Sequence, residues 1–235
     1  MDLIINLFNT FLYQPLFNAL ILLYEYLPGR DFGLAVIVLT ILIKFLFYPL
    51  GSKAIKSQKA LQSLQPKMKE VQEKYKDDKE RQAKEMLALY KREKINPFSG
   101  FVPILIQLPV LIALYRVFWR GLQPEQMALL YNFVPSPGVI NFSFMGIIDL
   151  AQPSSILAVL AGIFQFFQVK MTVSKTKKSK GSDFSRIMQN QMQYFLPAFT
   201  VLILFKLPAA IGLYWLVTTL FTIVQQYFLL RKQER

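Results

Sequence analysis

Long apolar runs alternate with strongly charged segments along this chain of 235 residues. A helix needs about 20 apolar residues to cross a bilayer core of roughly 30 Å, and several runs approach that length. We therefore predict an all-α polytopic membrane protein with five transmembrane helices. The predicted transmembrane segments are residues 31–52, 97–120, 154–173, 189–206 and 207–230. The fourth is the shortest, and its closeness to the fifth predicts a tight helical hairpin.

Residues 1–30 carry a different pattern. Asn6, Thr10, Gln14 and Asn18 recur at every fourth position, so they form a polar stripe on one face of a helix. That pattern is typical of an amphipathic helix that lies in the membrane interface. We expect such a helix on the outer surface. A spanning helix is the alternative, since the segment is long enough to cross.

The distribution of basic residues predicts the orientation. Most of the 27 Lys and Arg residues lie in three connecting pieces, and the net charge is +13. Positively charged segments stay in the cytoplasm, so we expect the N-terminus outside and the C-terminus in the cytoplasm. The predicted connecting segments are a cytoplasmic hairpin at 53–96, an outer loop at 121–153, a basic cytoplasmic loop at 174–188 and a basic tail at 231–235.

The composition limits the chemistry. Hydrophobic residues make up 54% of the chain, and there is no Cys and no His. Thiolate nucleophiles, imidazole acid–base catalysis and the usual zinc sites are therefore excluded. The apolar run inside each predicted transmembrane segment, residues 33–50 in the first, contains no Asp or Glu. We expect neither an enzyme nor a cofactor or metal site.

The hairpin at 53–96 is amphipathic. Apolar residues recur at spacings of three and four in two blocks, which is typical of the seam of a helix pair. The first block is Leu61, Leu64, Met68, Val71 and Tyr75, and the second is Ala83, Met86, Leu87 and Tyr90. We predict two antiparallel helices with a kink at Pro66. A solvated linker helix is the alternative.

The basic loop at 174–188 begins with a polar run of low complexity, Ser174 to Ser182, which is typical of a mobile segment. Its charge suits contact with lipid head groups or with ribosomal RNA phosphates. Retention in the cytoplasm by charge alone explains the same residues equally well.

Lys44 is the most informative position, because an ammonium group at mid-depth in a bilayer costs about 2.5–3.5 kcal/mol. Such a group faces water or a bundle interior, and we expect water to be its partner. Pairing with backbone carbonyls or reaching the head groups is the alternative. Polar residues that would share the same space are Thr40, Gln107, Gln165, Gln168 and Gln191. Singly, each Gln is better explained by an interhelical hydrogen bond, but together they predict a wet cavity open to the cytoplasm.

Six sets of motifs, in order, resemble the YidC-type membrane protein insertases, relatives of the mitochondrial and chloroplast inner-membrane insertases. They are Gln14-Pro15-Leu16-Phe17; Thr40 through Lys44 with Tyr48-Pro49-Leu50; Leu64-Gln65-Pro66-Lys67 with Met86 through Tyr90; Asn96-Pro97 and Gly100 with Pro103 through Pro109; Leu213-Tyr214-Trp215; and Thr222 through Gln226. The resemblance covers nearly the whole chain, from about residue 14 to residue 231.

The resemblance implies five core helices around a hydrophilic groove that opens to the cytoplasm and to lipid and is closed outside. The family usually has Arg where this chain has Lys44, so the charge is kept and the forked guanidinium is lost. The resemblance also implies that Thr40, Gln107, Leu111 and Trp215 line the path of an inserting helix.

The implied function is insertion of nascent membrane proteins into the bacterial plasma membrane. Its implied partners are those nascent chains and the lipid bilayer, with a ribosome and a Sec-type translocon as further candidates, and we expect a monomer to act. A solute transporter or channel with Lys44 as an anion site is one alternative, although the chain has no internal repeat. A passive scaffold for membrane-protein assembly is another.

Overall fold

The computed structural model describes residues 2–96, 102–121, 124–172 and 191–231. The predicted basic loop at 174–188 lies outside these ranges, as does most of the predicted tail. The α-helices are α1 (Asp2–Phe8), α2 (Gln14–Tyr26), α3 (Phe32–Leu46), α4 (Tyr48–Ser63), α5 (Gln65–Lys74), α6 (Lys79–Arg92), α7 (Val102–Arg116), α8 (Ser155–Thr172), α9 (Leu196–Leu204) and α10 (Ala209–Arg231). One short antiparallel pair, β1 (Ser143–Phe144) and β2 (Ile148–Asp149), interrupts this helical architecture in the predicted outer loop.

Three π-helical turns extend the α-helices: Asn9–Tyr13 between α1 and α2, Val117–Gly121 after α7, and Gln191–Phe195 before α9. Short 3-10 turns occupy Pro28–Arg30 and Pro124–Leu129. The prediction of a helical membrane protein is therefore confirmed at the level of its helices.

Helix α10 lies at the centre of the fold, with α8 on one side and α3 on the other. Helix α9 packs mainly against α8. Glycine permits this close approach, because a Cβ added at Gly162 of α8 would overlap the side chain of Val201 of α9. Small residues at such contacts are a common feature of helices that pack in membranes, where close backbone approach replaces the hydrophobic effect.

Helix α3 does not run straight into the hairpin. It ends at Leu46, and α4 leaves at an angle of 67° to it. Pro49, in the first turn of α4, lacks an N–H, and its ring would collide with the carbonyl of the residue four positions earlier. The helix that we expected over residues 31–52 is consequently bent at Phe47.

Helix α2 packs on α3, and its side chains bind the predicted outer loop. The side chain of Asn18 is buried, donates to the carbonyl of Leu129 at 3.0 Å and accepts from the amide of Tyr131 at 2.7 Å. Gln14 also donates to the Leu129 carbonyl. Half of the predicted polar stripe thus serves loop backbone groups, which need partners once they are removed from water.

We call loop residues 124–154 the outer cap, because they join three helices at one end of the bundle. The Asp31 carboxylate accepts hydrogen bonds from the amides of Leu34 in α3 and Met145 in the cap. The first amides of α10 donate to the carbonyls of Leu150 and Gln152. Helix ends that would otherwise leave unpaired groups are therefore satisfied by the cap.

Helices α5 and α6 form the antiparallel hairpin that the sequence predicts. Lys67 pairs with Glu93 at 2.6 Å, and the Tyr90 hydroxyl lies 3.7 Å from the sulfur of Met68. The Lys67 ammonium lowers the pKa of the Glu93 carboxyl, and burial raises the pKa of the Tyr90 phenol. Helix α4 is interrupted at Leu64, as expected from the Pro66 that follows.

The hairpin seam corrects two predicted positions. Leu87 is 59% exposed, whereas Leu89 is 2% exposed and takes the seam position together with the partly buried Met86 and Tyr90. Ala83 is also exposed. The predicted residues of the first helix lie in the seam, Leu64 buried and Leu61, Met68, Val71 and Tyr75 partly buried.

Candidate functional site

An open cleft of about 480 Å³ lies at the bend between α3 and α4. Three parts of the chain contribute its walls: the end of α3 with the start of α4, the first half of α7, and α10. The lining residues are Ile43, Lys44, Phe47, Gly51, Gln107, Val110, Tyr214 and Gln225. Apolar and polar side chains thus share the surface of one cavity.

Lys44 carries the charge of the cleft. Its ammonium donates to the Thr222 hydroxyl at 3.0 Å and lies 5.7 Å from the centroid of the Phe221 ring. Among the described residues, Lys44 forms no ion pair with Asp or Glu. Because a hydroxyl and a ring do not neutralise a cation, its field remains available to an anionic group that enters the cleft.

The remaining polar residues of the cleft tie its walls together. Gln107 of α7 donates to the hydroxyl of Tyr214 in α10 at 2.6 Å. Gln225, further along α10, donates to the carbonyl of Tyr48 and to the hydroxyl of Ser52 at 3.2 and 3.0 Å. These bonds connect α10 to both α7 and the first turn of α4.

The cleft is closed on the side of the outer cap. Going from Lys44 toward the cap, α3 presents Thr40, Leu39, Val36 and Phe32, whose exposed fractions are 4% or less. They pack with side chains of α2, α7 and α10 in one apolar core. The cleft therefore opens at the bend and ends against this core.

Two predicted groove residues lie outside the cleft. The Thr40 hydroxyl donates to the carbonyl of Val36 at 2.6 Å, so its own helix satisfies it inside the core. Leu111 is partly buried and packs against the same core. Lys44 and Gln107 are the predicted residues that the structure brings together in the cleft.

A second polar location lies between α8 and α10. The Trp215 indole donates to the Gln165 amide oxygen at 3.3 Å, and Gln168 is partly buried near the next turn of α8. Trp215 follows Tyr214 on α10, and consecutive helix residues point about 100° apart. Gln191 begins the π-helical turn before α9. Gln165, Gln168 and Trp215 are not among the described residues that line the cleft with Lys44.

Three polar residues were missed by the sequence analysis: Tyr214 and Gln225, which line the cleft, and Thr222, which accepts the hydrogen bond from Lys44. They lie at helical spacing on one face of α10, a polar stripe that the apolar run partly conceals. The packing of α3 against α10 places Thr222 beside Lys44, and the first turn of α4, after the bend at Phe47, meets Gln225. The sequence signal for the bend is Pro49, because a proline disfavours the helical conformation of the residue before it.

The fold and the cleft define a class: this is a helical membrane protein. Two helical segments, Leu3–Tyr26 and Ala209–Arg231, are long and apolar enough to cross a membrane, and the bent pair Phe32–Leu46 and Tyr48–Ser63 is a third candidate. Shorter apolar helices occupy Gln107–Trp119, Ser155–Met171 and Gln193–Leu204.

The chain belongs to the 60Kd inner membrane protein family, whose model matches residues 22–235. Similar curated proteins are named membrane protein insertase YidC. The one from Syntrophus aciditrophicus is 37% identical over 92% of this chain and 36% of its own length. That from Geobacter metallireducens is 33% identical over 92% and 36%, and that from Brucella melitensis 32% identical over 95% and 36%. The chain spans about a third of the length of these relatives, and the predicted family is confirmed.

Proposed function

We propose that this chain is the core of a membrane protein insertase of the bacterial plasma membrane. The observation that carries the proposal is the Lys44 ammonium, which faces an open cleft and is matched by a hydroxyl and an aromatic ring. A charged group is expensive in a membrane-spanning helix and is a functional candidate by default. The similar proteins named membrane protein insertase YidC support the same activity.

In the proposed arrangement, α3, α7, α8, α9 and α10 cross the membrane around the cleft, and the N-terminal helices lie on the outer surface. Arg116, at the end of α7, binds Asn9, whereas Phe32, at the start of α3, contacts Tyr24. Those two helix ends belong to the same side of the bundle. Since Asn9 and Tyr24 are separated by about 22 Å of helix, this contact pattern favours a segment lying across the bundle end.

The cleft lowers the barrier for a short polar segment by shortening the dry path. A polar group moved into hydrocarbon loses its hydrogen bonds to water, at several kcal/mol per group. A cleft that holds water at Lys44 leaves the outer half of the bilayer to cross. The ammonium also attracts acidic residues of the translocated segment, more strongly than in bulk water because the surroundings are less polar.

The apolar segment of the client leaves sideways into lipid. Leu42, Phe45 and Leu46, which flank Lys44 on α3, are 52–73% exposed, so apolar surface borders the charged position. Transfer of the client helix from the cleft to lipid supplies the driving free energy, because it removes apolar area from water. In this orientation the hairpin and the C-terminus are cytoplasmic. The exposed Leu87 of the hairpin is then available to a recruiting partner, and a monomer acts.

The test is insertion by purified chain in proteoliposomes, with two client proteins that differ only in acidic residues of a short translocated tail. We expect Lys44→Glu to reduce insertion of the acidic-tail client about tenfold or more, since a repulsion replaces an attraction worth at least about 1.4 kcal/mol. The client with a neutral tail should be affected less. Lys44→Arg should retain both activities.

Lys206→Glu is the matched control, because Lys206 is an exposed cation in the turn between α9 and α10. It should leave insertion unchanged. Equal insertion of the acidic-tail client by the original chain, Lys44→Ala and Lys44→Glu would remove the charge from the mechanism.

A further inference from the structure

Arg116, the last residue of α7, makes an unusual attachment to the N-terminal helices. Its guanidinium donates to the side-chain oxygen of Asn9 at 2.8 Å. The centroids of the Tyr13 and Phe8 rings lie 4.8 and 5.7 Å from its central carbon. The side chain is partly buried, and two aromatic rings and one amide surround it.

These contacts leave most of the guanidinium unmatched. Arginine has five N–H donors, and the two rings offer no carboxylate or carbonyl oxygen to them. Asn9 accepts one hydrogen bond. Within the ranges that the structure describes, Arg116 has no carboxylate at ion-pair distance. A partly buried cation in this state favours an anion from outside the chain, because burial without a counter-charge is costly.

The residues on the same face of α7 as Arg116 indicate what kind of molecule supplies that anion. Residues at spacings of three and four on this face are Leu105, Leu108, Ile112, Arg116 and Trp119. The four apolar and aromatic members are 48–67% exposed. An exposed apolar stripe that ends in an arginine and then a tryptophan is typical of a helix in lipid, with the last two residues at the level of the head groups.

The N-terminal helices continue the apolar surface on the other side of Arg116. Leu7 and Phe11, close in sequence to Phe8 and Asn9, are 47% and 74% exposed. The guanidinium therefore has lipid-facing side chains on two elements, with its unmatched donors between them. An acyl chain fits the stripe of α7, and the group at the end of that chain is a head group.

We propose that Arg116 binds the phosphate diester of a phospholipid, with an acyl chain along Leu108 and Ile112. The two free oxygens of the phosphate match the forked guanidinium, which is the bidentate pairing that arginine makes with phosphate. The bound lipid would fasten the N-terminal helices to α7. Its place in the outer leaflet follows from the proposed orientation, whereas the site itself does not depend on insertase activity.

The test is native mass spectrometry of the full chain released from nanodiscs that contain dioleoyl phosphatidylglycerol. We expect the original chain to retain one tightly bound phospholipid. Dioleoylglycerol, which has the same acyl chains and no phosphate, should not replace it. Arg116→Gln should weaken the retained binding about tenfold or more, which is the range for a charged hydrogen bond. Lys206→Gln, at an exposed cation in the turn between α9 and α10, is the matched control and should retain the lipid.

Two further variants separate lipid binding from folding. Arg116→Lys keeps the charge and loses the fork, so we expect a several-fold loss of phospholipid retention. Asn9→Ala loosens the N-terminal helices but keeps the guanidinium, so it should retain the lipid. The proposal is overturned if Arg116→Lys and a folded Arg116→Gln bind as the original chain does, or if dioleoylglycerol binds equally well. Displacement of the lipid by millimolar inorganic phosphate would overturn it in favour of a free-phosphate site.

Discussion

The two ends of the helix bundle differ in how tightly they are packed and in how their polar groups are paired. At the outer cap, loop and helix ends are joined by hydrogen bonds between residues distant in sequence, and the core beneath them contains fully buried side chains such as Phe17 and Phe32. At the opposite end, α3 bends, a cleft separates the helices, and Lys44 meets Thr222 and open space. The half next to the outer cap is closed by packed side chains, and the opposite half contains an open cleft.

This difference matters because an insertase of this design must be open on one side only. A cleft with water at both ends would conduct ions, whereas a bundle packed along its whole length would offer no shelter to a polar segment. One face of α3 is buried from Phe32 to Thr40 and Lys44 is partly exposed, which places the transition within about three turns of one helix.

The largest expected effect lies in the outer cap. Asn18→Leu should destabilise the folded chain by about 2–4 kcal/mol, because the amide of Tyr131 and the carbonyl of Leu129 would both lose a buried partner. Unfolding in detergent and hydrogen exchange of the cap amides measure it. Asn6→Leu is the control, since Asn6 is an exposed member of the same stripe. Equal stability of the two variants would mean that Asn18 does not hold the cap.

A second prediction concerns the hairpin of α5 and α6, where packing is local. Leu89→Ala should destabilise the hairpin by about 2–3 kcal/mol, as for other buried leucines. Leu87→Ala should change its stability by less than about 0.5 kcal/mol, as for other exposed positions. Proteolysis of the hairpin gives the readout. The opposite order would restore Leu87 to the seam, where the sequence analysis put it.

At the cleft we expect an intermediate effect. Gln225→Leu removes two hydrogen bonds between α10 and the first turn of α4, so it should cost about 1–2 kcal/mol. It should also widen the distribution of distances between spin labels on α10 and α6. Thr219→Val, on another face of α10, is the control. An unchanged distribution would show that the bend at Phe47 is fixed without Gln225.

The smallest effect belongs to the exposed Lys67–Glu93 pair. Because Lys67 lowers the pKa of Glu93, the pair adds stability above the unfolded pKa of glutamate, and this stability is lost as the pH falls through the lowered folded pKa. Lys67→Gln should therefore be less stable than the original chain at pH 7, and this difference should disappear in acid. A difference that grows on acidification would contradict this assignment. High salt should reduce the difference at pH 7.

How far the sequence predicts this structure depends on where the ordering interactions lie. Lys44 could be identified because a charge in an apolar run has few explanations. The spacing of apolar residues could not decide whether Leu87 or Leu89 is the buried seam residue, because both fit the helical periodicity to within one residue. Packing against the partner helix decides between them. Pro49 is the sequence signal for the bend at Phe47. The polar residues of α10 could be assigned to the cleft only once the positions of α3 and α4 beside α10 are known.

The structure of the outer cap could not be predicted from the sequence, for a different reason. Its loop has no hydrophobic period, and its order depends on partners such as Asn18, which is 111 residues from Leu129 in sequence. The Gln residues behaved as single polar groups in a membrane are expected to behave: Gln107 and Gln165 each make an interhelical hydrogen bond, to Tyr214 and Trp215. Of these two, Gln107 also lines the cleft.

The central claim is that Lys44 lies in a cleft that water enters from the cytoplasmic side alone. The chain contains no Cys, so single replacements at Phe47 and Lys44, which both line the cleft and are partly exposed, can be labelled without background. In oriented vesicles, a charged thiol reagent that does not cross membranes should modify both positions rapidly from the cytoplasmic side and neither from the outer side. Modification from the outer side, or protection from both sides in the folded chain, would contradict the account.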